Sequence, residues 1–179
     1  ITDLSPLEQI TSIGGNLEIS DCPNLESLNG LQGLSHVSDH IIIIDNEKLK
    51  DISQLKNLQE IGGGLGIIRN PALENTQGLH NIKKVNSVNI HDNLLLKEIN
   101  LPSLDSIIEY DLKISNNPSL PDLSGMEKLK SVRSIIVKDN PLLMSVSHFN
   151  HLDSAGSIEI WNNLSLKTIS GFDSLKYLV

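Results

Sequence analysis

The apolar residues of this chain recur with a period of 23 or 24 residues. Each period contains a short element in which two aliphatic residues flank one variable residue, as in Leu17-Glu18-Ile19. This alternation predicts a β-strand whose flanking side chains face a core and whose middle side chain faces outward. An asparagine, or in the first case a cysteine, follows three positions after each element, at Cys22, Asn46, Asn70, Asn93, Asn117, Asn140 and Asn163. Seven occurrences at one spacing predict seven copies of the same structural unit.

The rest of each unit contains aliphatic residues spaced by three positions. The first of them follows the Asn position by three residues, at Leu25, Leu49, Leu73, Leu96, Leu120, Leu143 and Leu166. Such a unit cannot bury its own apolar side, so its neighbours must stack on it and close a common core. We therefore expect a mainly β solenoid of seven coils, each adding one strand to a parallel sheet at a spacing of about 4.8 Å. A unit this short leaves room for 3₁₀ turns but for little helix.

Glycine and proline mark where the chain turns. Gly14-Gly15 and Gly62-Gly63-Gly64 precede predicted strands and supply permissive turns. Proline follows the Asn position in four units, at Pro23, Pro71, Pro118 and Pro141. Because proline lacks a backbone donor, it ends the strand at that point.

The Asn column has a structural interpretation. An inward-facing Asn can hydrogen-bond the backbones of adjacent coils, and it satisfies groups that would each cost about 1–3 kcal/mol if buried without a partner. Cys22 takes this position in the first unit, where we expect a buried structural side chain. A nucleophile or an intermolecular disulfide is the alternative, but a catalytic cysteine would need a nearby histidine that the repeat does not place.

Composition and charge exclude several classes of protein. Hydrophobic residues make up 39% of the 179 residues and aromatic residues only 3%, so Leu and Ile form the core. The net charge of −8 argues against a nucleic-acid partner and against binding to anionic lipid. No apolar run approaches the ~18 residues of a membrane span, so we expect no direct membrane insertion. A single cysteine excludes an internal disulfide and a multi-cysteine metal site, and we expect no cofactor and no metal.

The recurring pattern L-x-I-x-x-N-P-x-L resembles a leucine-rich repeat, and more closely the receptor L domain type. Longer versions, with Ile and Gly before the strand, run from Leu7 to Leu25 and from Leu58 to Leu73. They are similar to secreted and surface-displayed repeat proteins of Bacteroidetes-type bacteria. The resemblance covers essentially the whole chain, and it implies a right-handed, β-helix-like solenoid that serves adhesion or ligand recognition without catalysis. The departures from the pattern are Cys22, Glu47, Leu94 and Leu164, and one-residue slips near Val85 and Ile107.

Function is to be sought on the outward face of the predicted sheet. The candidate ligand-binding residues are Ile42, Ile44, Ile68, His91, Lys113, Ile136, Lys138 and Trp161. The three isoleucines of the second and third units form one apolar patch, and Trp161 lies beside Ile136 and Lys138 in a second. Exposed apolar clusters often mark partner sites, and the single Trp is a candidate anchor for a protein or carbohydrate ligand. The alternatives are that β-branched residues simply suit a sheet, or that another segment covers the patch.

A further polar column lies just before the Asn position. It contains Asp21, Asp45, Arg69, Asp92, Asn116, Asp139 and Asn162. Stacked carboxylates can bind calcium, but the glycine-rich nonapeptide pattern of calcium β-rolls is absent. Because Asp and Asn are favoured in turns, we interpret the column as turn residues and keep calcium as the alternative. No Ser-His-Asp arrangement, phosphate-binding loop or pair of catalytic carboxylates can be placed in a common pocket, so we expect no enzyme.

We therefore predict that residues 1–179 form a single leucine-rich, receptor L domain-like solenoid that acts as a non-catalytic recognition or adhesion module. Ile1 has no signal peptide before it, and neither terminal unit has a polar cap. We thus expect a fragment of a longer secreted or cell-surface chain, whose other domains are further partners. The alternatives are a structural spacer or stalk, and an intracellular interaction scaffold.

Overall fold

The chain folds into a stack of seven coils, which a computed structural model describes over residues 1–178. Each coil contributes one strand to a main parallel sheet, and we number the coils by these strands: Leu17–Ser20, Ile41–Ile44, Leu65–Ile68, Val88–His91, Asp111–Ser115, Ser131–Lys138 and Ser154–Trp161. Neighbouring strands are parallel and in register, so residues one repeat apart lie side by side. The predicted mainly β solenoid is confirmed. Val179, the last residue of the predicted domain, lies outside the described residues.

Shorter strands form the other sides of the coils. One set lies beside the N-terminal ends of the main strands and comprises Ser12–Ile13, His36–Val37, Glu60–Ile61, Lys84–Val85, Ser106–Ile107 and Tyr177–Leu178. In coils 6 and 7 the main strand extends into this set, because Ser131 pairs with Ser106 and Ser154 pairs with Tyr177. A two-stranded sheet of Ser145–Val146 and Thr168–Ile169 follows the Asn turn. Within residues 1–178 the helices are two 3₁₀ turns, Ser5–Leu7 and Ser53–Asn57.

Aliphatic side chains from every coil fill the space between the sheets. Inward residues of the main strands, such as Ile43, Ile67 and Ile90, are fully buried. The leucines that follow the Asn position by three residues are fully buried in coils 1 to 6. Burial of one such side chain stabilises the fold by about 1.5–3 kcal/mol. Since each coil supplies only one layer of this core, the stacking of coils is the source of the stability.

An unbroken ladder of Asn side chains joins the coils at the end of the main sheet. In each Asn from coil 2 to coil 7, Oδ1 accepts the backbone N–H of the preceding ladder residue at 3.0–3.3 Å. The Nδ2 group donates to a carbonyl oxygen in the main strand of the preceding coil at 2.9–3.2 Å. The side chains of coils 2 to 6 are fully buried. Each Asn therefore satisfies two buried backbone groups of its neighbour, which water cannot reach.

Cys22 occupies the first position of this ladder. Its side chain is buried, and its thiol donates to the carbonyl oxygen of Ser20 at 3.3 Å. Its own N–H donates to Asn46 Oδ1 at 3.1 Å. The thiol therefore faces the interior of the coil and is held there by the same turn that holds each Asn.

Gly62, which the sequence singles out, is required by close packing, because an added Cβ would lie 2.0 Å from the carbonyl oxygen of Ser38. A second set of glycines is required by the backbone conformation. Gly14, Gly15 and Gly62 to Gly64 do not adopt a positive φ, whereas Gly30, Gly78, Gly125 and Gly171 do. These four lie immediately before an inward aliphatic or aromatic residue, where the coil bends back toward the core. At Gly125, φ is +93° and an added Cβ would lie 1.9 Å from the carbonyl oxygen of Ile99. Close packing of one coil on the next therefore requires glycine at this bend.

We predict that replacing Asn93 with Ala lowers the free energy of unfolding by about 2–5 kcal/mol, because the N–H of Asn70 and the carbonyl of Ile67 lose their buried partner. Urea unfolding followed by circular dichroism measures the change. The control is Asn24→Ala, since Asn24 is exposed and its side chain only accepts from Lys48; we expect a change within about 0.5 kcal/mol. Equal losses in the two variants would contradict the ladder's role.

We predict that Gly125→Ala costs at least about 2 kcal/mol, because alanine is strained at this φ and its Cβ overlaps the backbone of the preceding coil. Gly14→Ala is the matched control, since no atom lies within 4 Å of its added Cβ. Thermal melts of both variants test the difference. If Gly125→Ala had the same melting temperature as the wild type, the prediction would be wrong, because the bend would then accept a Cβ without a cost in stability.

Candidate functional site

The outer face of the main sheet presents the predicted candidate residues in adjacent columns. Ile44 pairs with Ile68 across coils 2 and 3, and Ile42 pairs with Gly66. All three isoleucines are half-buried, not fully exposed as a free patch would be. The reason is the parallel register, which places outward side chains of neighbouring coils about 4.8 Å apart, so that each covers part of the next. The patch is therefore a flat apolar surface of modest exposed area.

Trp161 is the most exposed of the candidate residues, with 44% of its surface accessible. It pairs in register with Lys138, whose Nζ lies 4.4 Å from the centroid of the indole ring. This is a cation–π contact, which holds the ring and covers one of its faces. The Lys138 ammonium also lies 3.8 Å from Asp139. A ligand can therefore contact the edge and the opposite face of the indole, next to a positive charge.

Polar residues connect these two apolar regions at the centre of the face. Asn89 lies between Gly66 and Lys113 in register, and His91 lies between Ile68 and Ser115. The Oδ1 atom of Asn89 is buried and has no hydrogen-bond partner in the part of the chain that the structure describes. An unpaired acceptor costs about 1–3 kcal/mol. The centre of the sheet face thus carries a polar group that a nearby donor would stabilise.

The candidate residues therefore fall into two groups on one continuous face. The isoleucines lie on coils 2 and 3, whereas Ile136, Lys138 and Trp161 lie on coils 6 and 7. Three coil steps, or about 14 Å, separate coil 3 from coil 6. His91 and Lys113 lie on the coils between them. The face is thus long enough to contact an extended ligand at both ends.

The polar column before the ladder is a column of left-handed turns. Each of its seven members has a positive φ between 51° and 60°. Asp and Asn tolerate this conformation well, but Arg69 does not share that tolerance. Its guanidinium forms two hydrogen bonds of 2.6 Å with the carboxylate of Asp45 on the preceding coil. This bidentate pair joins the turns of coils 2 and 3.

The carboxylates of this column have lowered pKa values for identifiable reasons. Hydrogen bonding by Arg69 holds the pKa of Asp45 below its ordinary value. Partial burial acts to raise the pKa of Asp92, but hydrogen bonds from Asn116 and His91 outweigh that effect and lower it. Both groups are therefore ionised near neutral pH and are already engaged by neighbouring side chains. Among residues 1–178, no group of three or more His, Cys, Asp and Glu side chains is arranged to hold a metal ion.

One exposed apolar feature was not among the predicted site residues. It lies on the turn that follows the Asn ladder, and we call it the turn strip: Leu94, Leu95, Leu142, Met144 and Leu164. Their exposed fractions range from 45% to 86%. Leu94 and Leu164 were noted in the sequence only as departures from proline. Aligning the positions one, two and four residues after the ladder Asn, and comparing their polarity from coil to coil, would have revealed the strip.

The comparisons with known proteins agree with this architecture. The family model described as Receptor L domain matches residues 35–124, which is half of the chain and includes coils 2 to 5. No curated protein is similar enough in sequence to be counted as a relative. Within the described residues, no helix has the length and apolar character needed to cross a bilayer.

We predict that Asp92 titrates below the ordinary aspartate value of about 3.9 and that Asn116→Ala raises its pKa. A folded-state pKa lower than the unfolded one means that ionised Asp92 adds stability above about pH 4, and that this stability is lost as the pH falls through the folded pKa. Carboxyl chemical shifts in an NMR titration measure the first effect. The difference in unfolding midpoint between the wild type and Asp92→Asn, followed below pH 4, measures the second. An Asp92 pKa at or above its ordinary value would contradict both.

Proposed function

Because the chain belongs to the receptor L domain family, we propose that it is the recognition module of a secreted or cell-surface protein and binds a protein or carbohydrate through the outer face of its main sheet. The family is a ligand-binding and non-enzymatic one, typically extracellular and typically bound to protein. The observation that carries the choice of surface is the exposed Trp161, which continues a flat face that also carries Ile44 and Ile68.

The repeat itself supports a functional reading of these residues. The column that contains Ile44, Ile68 and Trp161 has serine in coils 1 and 5, at Ser20 and Ser115. The scaffold therefore accepts a small polar residue at this position, and folding alone does not require large apolar ones. A large side chain on a rigid sheet loses little conformational freedom on binding, which favours affinity.

The proposed context is the one that the longer repeat pattern suggests by its resemblance to surface-displayed bacterial repeat proteins. On this proposal the chain is one domain of a longer protein, and its other domains anchor it. The sequence encoded upstream of Ile1 tests the context, since a signal peptide there supports a surface role. Its absence would instead favour an intracellular scaffold.

We predict that the triple variant Ile44→Ser, Ile68→Ser, Trp161→Ser weakens binding of the ligand by at least about tenfold, or ~1.4 kcal/mol, because the apolar contacts of the face are lost. The ligand is first sought with the wild-type chain on a glycan array and on a panel of purified extracellular protein domains. Affinities are then measured by biolayer interferometry, with thermal melts to confirm folding.

Lys48→Ser is the matched control, since it removes an exposed side chain on a different side of coil 2. We expect it to bind as the wild type does. If the triple variant folds and keeps its full affinity, the sheet face is not the binding surface. If the wild type binds nothing on either panel, a spacer role becomes the better explanation.

A further inference from the structure

The turn strip is a second apolar surface that the solenoid itself does not require. At the same positions after the ladder residue, coils 1 to 3 carry proline, charged residues, asparagine and one alanine: Pro23, Asn24, Glu26, Glu47, Lys48, Lys50, Pro71, Ala72 and Glu74. Coils 4, 6 and 7 carry the five large residues of the strip instead. Coil 5 carries Pro118, Ser119 and Pro121 there, so Leu94 and Leu95 are separated from the three residues of coils 6 and 7. Since the same turn forms in every coil, the polar residues of coil 2 show that leucine is not needed for the turn. The exposed leucines and methionine of the strip are therefore not explained by folding, and exposed apolar residues of this kind often mark a partner site.

Backbone hydrogen bonds join coils 6 and 7 beneath the strip. The N–H of Ser165 donates to Pro141 at 3.2 Å, and that of Lys167 donates to Met144 at 2.9 Å. Leu142, Met144 and Leu164 thus lie on adjacent coils, and together with Pro121 of coil 5 they line a shallow groove of about 380 Å³. Leucine and methionine make such a groove apolar, and methionine adds a flexible side chain that adapts to different partners.

The charge of this groove limits what it can accept. Lys167 is its only charged lining residue, and within the described residues no carboxylate lies within 4 Å of its ammonium. By contrast, Lys97, at the same repeat position in coil 4, is paired with Glu74 at 2.9 Å. The groove thus combines an apolar floor with one uncompensated positive charge. A ligand that fits has an aliphatic group next to a carboxylate.

We propose that the turn strip is a second docking surface, and that it takes a protein segment in which aliphatic side chains flank an aspartate or glutamate. An anionic membrane is the poorer occupant, because the groove carries one lysine where membrane-binding surfaces carry a cluster of basic residues. A second copy of this chain is distinguished by the test below. The surface is separate from the outer face of the main sheet, so this inference does not rest on the function proposed for that face.

The repeat supplies variants that should fold. Leu164→Glu and Leu142→Lys copy Glu47 and Lys48, which occupy the same two positions in coil 2. Peptides are selected from a random display library against the wild-type chain, then synthesised and measured by isothermal titration calorimetry. We expect the selected peptides to share aliphatic residues beside Asp or Glu, and the double variant to bind them at least about tenfold more weakly.

Three further variants sharpen the test. Lys167→Glu should weaken peptides that contain the carboxylate by about tenfold, but should leave their Gln or Asn counterparts unaffected. Lys48→Ala, at the same repeat position as Leu142, and the triple serine variant of the sheet face should bind the selected peptides as the wild type does.

Several outcomes would overturn the proposal. They are the failure to select any peptide, selected peptides without acidic residues, and unchanged binding by a folded double variant. Sedimentation with phosphatidylcholine–phosphatidylserine vesicles that the double variant abolishes would assign the strip to a membrane. A dimer in sedimentation velocity that the same variant dissociates would assign it to self-association.

Discussion

The hydrogen bonds of the Asn ladder are the interaction on which the rest of the structure depends. Burial of Leu and Ile drives the coils together, but it is non-directional and would allow many relative positions. Each ladder Asn accepts an N–H and donates to a carbonyl of the preceding coil, so it fixes one register. Without these bonds the turn at the end of each strand would bury unpaired backbone groups. Burial therefore drives the coils to stack, and the ladder decides how they stack.

Because the buried aliphatic residues and the Asn ladder hold the fold together, the outward positions of the main strands are free to vary. One column of the main sheet contains serine, isoleucine, histidine, lysine and tryptophan at the same structural position: Ser20, Ile44, Ile68, His91, Ser115, Lys138 and Trp161. Since the inward residues and the ladder support the fold, these substitutions change the surface and leave the backbone almost unaltered. A repeat protein thus provides its own comparison set. A residue that differs from its counterparts in other coils, without a structural reason, is a candidate for function.

The difference between the repeated structural positions and the variable outward positions also explains which features could be predicted from the sequence. The period, the strands and the buried positions follow from local patterns, because each coil repeats the same contacts with its neighbours. The glycines with positive φ, Gly30, Gly78, Gly125 and Gly171, recur at one repeat position, but the reason that Gly125 must be glycine is visible only in the structure, in the close approach of Ile99 on the preceding coil. The contact of Lys138 with Trp161 and the half-burial of Ile44 likewise depend on side chains about one coil away. The turn strip was present in the sequence, but it emerges only when polarity is compared between coils at positions that the fold does not constrain.

The geometry of coil 7 also bears on how two binding surfaces could act together. Trp161 ends the main strand and Leu164 begins the turn strip, with the ladder residue Asn163 between them. Asn163 donates to the carbonyl of Val137 at 2.9 Å and accepts from Asn140 at 3.0 Å, so the angle between the two surfaces is set by the ladder. A partner that contacted both surfaces would bind side chains that the ladder already holds in place, so binding would cost little conformational entropy. The ladder that holds the coils together would then also hold the recognition surfaces in their relative orientation.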